Sequence, residues 1–198
     1  RKMLSYKDSL KILKKTNALL EGHFVLSSRL HSNKYVQCAK LFSFPKYASK
    51  ICDSLSKKIK KNFSSINLVI SPAIGGIIIG YEIGRRLNIE TIFSEKIGSK
   101  FKLRRDFKIK KNARVVIIED VITTGKSSLE CSNLVKEAKA KLLGFACIID
   151  RSNNKSLLIR KNKIVSHIKL NIPTYKKKKL PLFLKKIPIS RPGSYYLS

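Results

Sequence analysis

The fold of this chain is decided by Val115-Val116-Ile117-Ile118-Glu119-Asp120-Val121-Ile122-Thr123-Thr124-Gly125-Lys126-Ser127-Ser128. Four consecutive β-branched residues are typical of a central parallel strand that is covered on both faces. Two carboxylates end this run, and a loop of hydroxyls and glycine leads into a predicted helix. Backbone N–H groups and hydroxyls at a helix N-terminus bind phosphate, whereas adjacent acids suit a diol or a hydrated cation. The stretch therefore predicts a sugar-phosphate site.

This stretch has two other interpretations, and the first of them fails on spacing. Gly125-Lys126-Ser127 contains the last three residues of a Walker A loop, but that motif needs a glycine five residues before the Gly-Lys pair, and residue 120 is Asp. The second alternative is an acidic strand end followed by an ordinary capped helix. Adjacent carboxylates followed by a phosphate-type loop favour the ligand site over capping alone.

Two further segments carry patterns typical of ligand binding. Ser71-Pro72-Ala73-Ile74-Gly75-Gly76 follows a predicted strand, and its small residues allow close backbone approach to an anion at a helix N-terminus. The segment from Ser94 to Phe107 is dense in cations and contains Gly98. It is either an exposed basic hairpin or a mobile lid that neutralises a departing anion and excludes water.

The order of predicted elements gives an α/β fold with a doubly wound, mostly parallel sheet. Helices are predicted over residues 6–20, from Pro45 onward, over 75–87 and over 127–140. Strands are predicted at 68–70, 91–93, 115–119, 142–150 and 164–170, and a short hairpin at 24–26 and 35–37. Ligands of such sheets bind at the carboxyl ends of the strands, where the strand order reverses. The tail from Lys176 lacks periodicity and is predicted to be extended.

The composition limits the classes of function that this protein can have. No apolar run reaches the ~20 residues of a membrane span, and no secretory signal is visible. Cys38, Cys52, Cys131 and Cys147 form no CxxC pair, so a reducing, cytoplasmic location is expected. The net charge of +31 leaves three interpretations: nucleic-acid binding, capture of a polyanionic substrate, and compositional drift. Because the lysines are spread along the whole chain, the pattern favours drift.

The central stretch resembles the signature of phosphoribosyltransferases, which bind 5-phosphoribosyl 1-diphosphate. The wider sequence is similar to bacterial orotate phosphoribosyltransferases of the short-lid type over roughly residues 4 to 193. The segments that carry this resemblance, in the family's order, are Glu21–Ser28, His31–Ser32, Tyr35–Lys40, Ser71–Tyr81, Glu119–Ser127, Asp150–Arg151 and Leu170–Tyr175. The resemblance implies the type I phosphoribosyltransferase fold as one domain over residues 1–198, with a small N-terminal hood (1–40), a core (41–175) and an extended tail (176–198).

The resemblance also implies a role for each matching residue. It places 5-phosphoribosyl 1-diphosphate against Lys96 and the signature residues Glu119, Asp120, Val121, Ile122, Thr123, Thr124, Gly125, Lys126 and Ser127. The diphosphate loop is Ala73, Ile74, Gly75 and Gly76, and the expected catalytic residues are Lys100, Glu119 and Asp120. Orotate is expected to contact Thr123, Arg151 and Phe24, with Ser27 in the same part of the hood.

A planar guanidinium fork suits the orotate carboxylate, although an ion pair between Arg151 and the preceding Asp150 is the structural alternative. Mg²⁺ is the implied cofactor, bound mainly through the substrate, so no metal ligands are assigned. The implied assembly is a homodimer in which Lys96 and Lys100 of one lid reach the partner's site. A purine phosphoribosyltransferase and a nucleic-acid-binding regulator with this fold are the rival functions.

Four residues depart from the family pattern. Arg29 and Asp106 stand where glycine is usual, Lys96 stands where arginine is usual, and Lys126 replaces a glycine of the phosphate loop. Each raises a question about the local turn or the phosphate contact. The three histidines, at positions 23, 31 and 167, receive no role from the sequence, and His167 is expected to be structural.

Overall fold

The computed structural model describes residues 3–26, 28–153 and 155–192. They form two compact units. Within the described residues, the core unit consists of residues 3–5 and 48–170, and the hood unit consists of residues 6–47 and 171–192. Ser27, which the resemblance places in the hood, lies outside the described residues.

The secondary structure alternates as the sequence predicts. The helices are α1 (Tyr6–Lys15), α2 (Ala39–Phe42), α3 (Pro45–Asn62), α4 (Gly75–Leu87), α5 (Lys126–Glu137) and α6 (Leu182–Lys185). The strands are β1 (Leu19–Val25), β2 (His31–Val36), β3 (Leu68–Pro72), β4 (Glu90–Ile97), β5 (Lys100–Leu103), β6 (Arg114–Ile122), β7 (Lys141–Asp150), β8 (Ile164–Lys169), β9 (Thr174–Tyr175) and β10 (Ile189–Ser190).

The core unit contains a six-stranded sheet in the order β5-β4-β3-β6-β7-β8. All neighbours in it are parallel except β4 and β5, which form an antiparallel hairpin. The chain winds from β3 through α4 to β4 on one side, and from β6 through α5 to β7 on the other. The strand order therefore reverses between β3 and β6, and the predicted doubly wound α/β fold is confirmed.

Burial of the central strands explains this arrangement. All of β3 is buried, and so are Val115 to Ile118 of β6, because helices cover both faces of the sheet. On one face, alternate strand residues join Cys131 and Val135 of α5 in a single apolar cluster. At the start of α4, a side chain at Gly76 would lie 3.1 Å from the carbonyl oxygen of Ile118, so glycine lets the helix pack closely against β6.

The hood unit contains a four-stranded sheet in the order β10-β1-β2-β9. Strands β1 and β2 form the predicted antiparallel hairpin. The helix predicted over residues 6–20 is wrong at its end, since α1 stops at Lys15, Asn17 has a left-handed φ of 56°, and Leu19 already belongs to β1. The chain after Lys176 is not purely extended: it contains a 3₁₀ turn at Lys177–Lys179, then α6, then β10, which pairs with β1.

No helix among the described residues has the length and apolar character needed to span a membrane. The four cysteines are free and buried. Burial raises the pKa of Cys52 and of Cys131 to about 12, so these thiols are protonated at neutral pH.

Candidate active site

The candidate site lies at the carboxyl ends of β3 and β6, where the strand order of the core sheet reverses. This is the edge at which open α/β sheets bind their ligands. The loop after β3 is Ala73-Ile74, and the loop after β6 is Thr123-Thr124-Gly125. Each loop leads directly into a helix, α4 or α5, so two helix N-termini are available to anions at this edge.

The loop after β6 has a fixed backbone. Gly125 has φ 73°, and a side chain there would lie 2.8 Å from a side-chain carbon of Ile159, so both conformation and space require glycine. The carbonyl oxygen of Thr124 accepts a hydrogen bond from the N–H of Leu158 at 2.8 Å, and that of Gly125 accepts one from Leu129 at 2.8 Å. Held in this way, the loop presents its polar groups at the start of α5, in a form that suits a phosphate.

The two acids of the signature are largely buried beside this loop. The hydroxyl of Ser128 donates a hydrogen bond to Oε1 of Glu119, and the N–H of Val121 donates one to Oδ1 of Asp120 at 2.8 Å. Burial raises the pKa of Glu119 to about 7; the charge of Asp120 adds to this rise, and the Ser128 hydroxyl opposes it. Burial also raises the pKa of Asp120. A carboxyl near half-ionisation can both donate and accept hydrogen bonds to a diol.

The segment after β3 leads to one of the two acids. The N–H of Ala73 donates to the carbonyl oxygen of Ser94 at 2.7 Å, the Ala73–Ile74 peptide bond is cis, and Ile74 is 86% exposed. A side chain at Gly75 would lie 3.0 Å from Oδ2 of Asp120. The start of α4 therefore lies against Asp120, and a side chain at position 75 would crowd that carboxylate.

Arg151 follows the last residue of β7, next to the strand that carries the acids. Its N–H donates to the carbonyl oxygen of Ile122 at 2.9 Å, which fixes the backbone of Arg151 beside the start of the phosphate loop at Thr123. Oδ1 of Asp150 accepts hydrogen bonds from the N–H of Ser152 at 2.9 Å and from its hydroxyl at 2.6 Å. Thr123 is exposed at the end of β6, so it and the Arg151 backbone lie on the same edge as the acids.

The predicted lid is the β4–β5 hairpin, with Gly98 at its tip in a left-handed conformation of φ 61°. Lys96 and Lys100 are exposed, and the ammonium of Lys96 lies 5.9 Å from the centre of the Phe101 ring. At the base of the hairpin, Arg105 forms an ion pair with Glu95 at 3.1 Å. In the sheet, β4 and β3 separate β5 from β6.

The lid's base also explains one departure from the family pattern. Asp106 has φ 58°, a left-handed conformation that favours glycine, and Asp is one of the few other residues that adopt it with some ease. Arg29, in the hood unit, has φ 61° and lacks that advantage. Lys126 is exposed as the first residue of α5, where its N–H donates to Oγ1 of Thr124 at 3.3 Å.

Phe24 belongs to the hood unit. It is 2% exposed, and its ring lies 5.7 Å from that of Tyr35. The two loops, the two acids and Arg151 thus lie at one edge of the core sheet. The lid lysines lie apart from them, on the β4–β5 hairpin. Sequence reasoning missed Ser128 as the partner of Glu119, and no local signal marks that hydroxyl apart from its place one turn into α5.

Comparison with known proteins places this geometry in a family. The chain matches the family described as Phosphoribosyl transferase domain over residues 45–177. A protein of Chlorobaculum parvum named orotate phosphoribosyltransferase is 42% identical over 187 residues, which are 94% of this chain and 95% of the relative. The chain belongs to the orotate phosphoribosyltransferase family. A second orotate phosphoribosyltransferase, from Caldicellulosiruptor saccharolyticus, is 44% identical over 93% of this chain and 95% of its own length.

Solved structures agree on the fold. The crystal structure of orotate phosphoribosyltransferase from Aeropyrum pernix covers 81% of this chain and 92% of its own, with a TM-score of 0.68 at 24% identity. At that identity the likeness shows the fold alone. The expected orotate phosphoribosyltransferase family and type I phosphoribosyltransferase fold are therefore confirmed, while the role of each site residue stays a prediction.

Proposed function

We propose that this protein transfers ribose 5-phosphate from 5-phosphoribosyl 1-diphosphate to orotate, giving orotidine 5′-phosphate and diphosphate in pyrimidine (UMP) biosynthesis. The observation that carries the proposal is the placing of two candidate anion loops and a pair of acids at one edge of the sheet, with Gly75 against the carboxylate of Asp120. A substrate with a phosphate at one end, a diphosphate at the other and a diol between them matches these three parts. Near-full-length similarity to orotate phosphoribosyltransferases supports the choice of base.

In this proposal, different residues bind different parts of the substrate. Thr123 to Ser127 hold the 5′-phosphate through loop amides and hydroxyls, and Ala73 to Gly76 hold the diphosphate at the start of α4. Glu119 and Asp120 orient the ribose hydroxyls. Substitution at an anomeric carbon passes through an oxocarbenium-like centre, so positioning and charge stabilisation matter more than a protein nucleophile. Lys96 and Lys100 neutralise the charge that develops on the departing diphosphate.

Mg²⁺ fits this arrangement. Mg²⁺ usually binds one or two carboxylates together with substrate phosphates and waters. Asp120 beside the diphosphate loop offers one such carboxylate, and within residues 3–26, 28–153 and 155–192 no group of three or more His, Cys, Asp or Glu gathers as a separate metal site. When bound, the ion supplies charge neutralisation at the diphosphate. The chain's own task is to hold Asp120 and the loop backbone in place.

The base is read by Arg151 and Thr123. The backbone of Arg151 is fixed to β6, and its planar guanidinium can form two parallel hydrogen bonds to the orotate carboxylate. Neutral bases lack that partner, so the purine phosphoribosyltransferase alternative leaves Arg151 without a function at this edge. We also retain the expected cytoplasmic location, which four free cysteines support.

We propose further that two copies share their active sites as a homodimer. Strands β5 and β6 are three inter-strand spacings apart, about 14 Å, which is longer than a lysine side chain. If a second copy of the chain supplies the lid, its lysines do not have to span that distance. An apolar face suits the contact, because Ile74, Ile78 and Tyr81 are 86%, 56% and 65% exposed at the start of α4, beside the diphosphate loop.

The test is an orotate-consumption assay with purified protein, 5-phosphoribosyl 1-diphosphate and Mg²⁺, with adenine, hypoxanthine and uracil in parallel reactions. We expect consumption of orotate alone, loss of activity on chelation of Mg²⁺, and its return on adding the ion back. An Arg151→Gln variant is expected to raise the KM for orotate with little change for 5-phosphoribosyl 1-diphosphate. Turnover of adenine or hypoxanthine in place of orotate would contradict the proposed base, and silence with every base would contradict the reaction.

A further inference from the structure

The C-terminal segment of the hood unit, residues 176–191, carries a concentration of positive charge. All 12 acidic residues of the chain lie within residues 1–150, so this segment has no acid of its own. Its cations are all exposed, and they are Lys176, Lys177, Lys178, Lys179, Lys185, Lys186 and Arg191. Among the described residues, none of the six lysines takes part in an ion pair. Their charge is therefore available to an anionic partner.

The same segment exposes large apolar side chains. Leu182 is 75% exposed, Phe183 50%, Ile187 39% and Ile189 49%. A single exposed apolar residue is ordinary, but several together on one short segment indicate a surface that another body covers. The segment thus offers apolar and cationic side chains side by side.

The backbone of the segment is held in place although these side chains are exposed. Leu184 of α6 is fully buried. The carbonyl oxygen of Ile187 lies 3.0 Å from Nδ1 of His23, and β10 pairs with β1 at the edge of the hood sheet. The exposed side chains are therefore presented by a fixed backbone, and no ordering of the segment is needed before it binds a partner.

One kind of partner satisfies both properties in a single plane. An anionic bilayer attracts clustered lysines through its headgroups, and it accepts apolar side chains at the boundary between headgroups and acyl chains. Single-stranded nucleic acid would bind the lysines, but it stacks its bases on aromatic rings and would leave Leu182, Ile187 and Ile189 in water. A second copy meeting this surface across a two-fold axis would place cations against cations.

We propose that residues 176–191 are a docking surface for an anionic lipid bilayer. The lysines bind the headgroups, while Leu182 and Phe183 enter the boundary region. Binding is peripheral and reversible, since no helix among the described residues can span the membrane. This role goes beyond the proposed transfer reaction and does not depend on it, so it can be measured without any substrate.

The first experiment is co-sedimentation of the full chain with lipid vesicles at physiological salt. Vesicles of phosphatidylglycerol and phosphatidylcholine supply the anionic surface, and vesicles of phosphatidylcholine alone are the control. We expect the anionic vesicles to bind the protein about tenfold more tightly or better, because each lysine near the surface adds to the attraction. Equal binding to both kinds of vesicle, or binding to neither, would overturn the proposal.

Charge-matched variants separate this surface from the general attraction of a chain with a net charge of +31. Replacing Lys177–Lys179 by glutamine removes three charges from the segment. Replacing Lys108, Lys110 and Lys111 by glutamine removes the same number from exposed lysines of the core unit. The first variant is expected to lose about tenfold in affinity for anionic vesicles, and the second less than about twofold. Equal losses would mean that net charge alone drives binding, and the docking surface would be rejected.

The apolar contribution is tested at the most exposed side chain of the segment. Leu182→Gln is expected to weaken binding to anionic vesicles about fivefold, since one apolar group no longer leaves water. Met3→Gln is the control, because Met3 is 49% exposed but belongs to the core unit, and it should bind as the unmodified protein does. Circular dichroism and thermal melting check that both variants fold. Unchanged binding of the Leu182 variant would contradict insertion of this segment.

Insertion can also be observed directly. The chain contains no tryptophan, so Phe183→Trp introduces a single fluorescent reporter at the proposed contact. Its emission is expected to shift to shorter wavelength with anionic vesicles and to stay constant with phosphatidylcholine vesicles. Emission that stays constant while the protein sediments with anionic vesicles would show that another surface binds the lipid.

Two further measurements distinguish the other partners. A single-stranded RNA oligonucleotide is added as competitor, and RNA that displaces the anionic vesicles at equal phosphate concentration would assign the segment to nucleic acid. Light scattering gives the oligomeric state of the Leu182→Gln variant, which we expect to equal that of the unmodified protein. Dissociation of the variant would identify the surface as a contact between subunits and overturn the proposal.

Discussion

The phosphate loop after β6 and the lid hairpin after β4 both carry residues proposed to act on the same substrate, yet they are built in opposite ways. The loop is held by backbone hydrogen bonds, a glycine with φ 73° and two largely buried acids. The hairpin is an exposed edge element whose base is held by a Glu95–Arg105 ion pair with the guanidinium 5.6 Å from the Phe93 ring. In the proposed reaction the loop acts through fixed dipoles, and the hairpin acts through the charges of exposed lysines.

This contrast predicts that equivalent substitutions have different effects in the two regions. Asp120→Asn removes a charge at the edge where the two candidate anion loops lie, so kcat is expected to fall by about 10²–10³-fold, the size of effect seen when a preorganised electrostatic group is lost. Asp106→Asn, in the lid's turn, is the matched control and is expected to retain most activity. Circular dichroism and thermal melting check that both variants fold. Comparable activity of the two variants would contradict the role of Asp120.

In a shared active site, a second chain can supply an intact lid to a subunit with a defective one, but it cannot supply that subunit's phosphate loop. Lys100→Ala is expected to lower kcat by about 10²-fold through lost charge stabilisation. Mixing the Lys100→Ala and Asp120→Asn variants, with subunit exchange, is expected to restore activity to about a quarter of the unmodified level, since half of the dimers are hybrids with one intact site. Activity that stays at the level of the separate variants would contradict shared sites.

Gly75, at the start of α4, and Gly98, at the tip of the lid, are needed for different reasons. Gly75→Ala places a carbon 3.0 Å from Oδ2 of Asp120, so turnover is expected to fall about tenfold with little loss of stability. Gly98→Ala meets no neighbour but keeps a left-handed φ of 61°, so it is expected to lower the free energy of unfolding by about 1 kcal/mol. Steady-state kinetics and urea unfolding separate the two effects. A reversed pattern would show that the close contact at Gly75 does not matter.

The largely buried acid Glu119, at the end of β6, should make stability depend on pH. The folded protein raises the pKa of Glu119 to about 7 from an ordinary 4.5, so its ionisation opposes folding. The stability associated with this group is present below pH 4.5 and is lost as pH rises through 7. Glu119→Gln is therefore expected to raise the melting temperature more at pH 8 than at pH 5. Glu137→Gln, an exposed control on α5, should show no such difference, and parallel shifts in both variants would contradict the assignment.

The smallest expected effects concern the two departures at left-handed turns. Arg29→Gly and Asp106→Gly relieve φ values of 61° and 58°, so each is expected to raise the free energy of unfolding by up to about 1 kcal/mol, with the larger gain at Arg29. Urea denaturation of the single and double variants measures this, and additive gains are expected for distant sites. A loss of stability at Arg29 would mean that its side chain makes a compensating contact.

Local patterns were sufficient for most of the core unit. The β-branched run of β6, the glycine pair that begins α4 and the helical spacing of α3 each predicted an element that the structure contains. The end of α1 was missed because Asn17 adopts a left-handed φ that ends the helix, and the following residues pair with β2. Such pairing depends on a strand many residues away, so the spacing of apolar residues within the segment does not predict it.

Contacts between distant segments were also beyond the sequence. His23 and His31 appeared unrelated, but their strands pair so that Nε2 of His23 lies 2.7 Å from Nδ1 of His31, while Nδ1 of His23 lies 3.0 Å from the carbonyl oxygen of Ile187. Both rings are buried inside the hood unit, and the bond joins the C-terminal segment to β1. His167 is buried as well, and burial lowers its pKa to about 4, which agrees with the structural role expected for it.

By itself the sequence determined the family, the doubly wound sheet and the positions of both candidate anion loops, because hydrophobic periodicity, glycine placement and adjacent acids act over a few residues. Tertiary structure alone decided that Gly75 lies against Asp120 and that Ser128 binds Glu119. These relations arise when parallel strands bring their carboxyl ends together and helices pack across them. Charge, burial and space at the site are consequences of that packing.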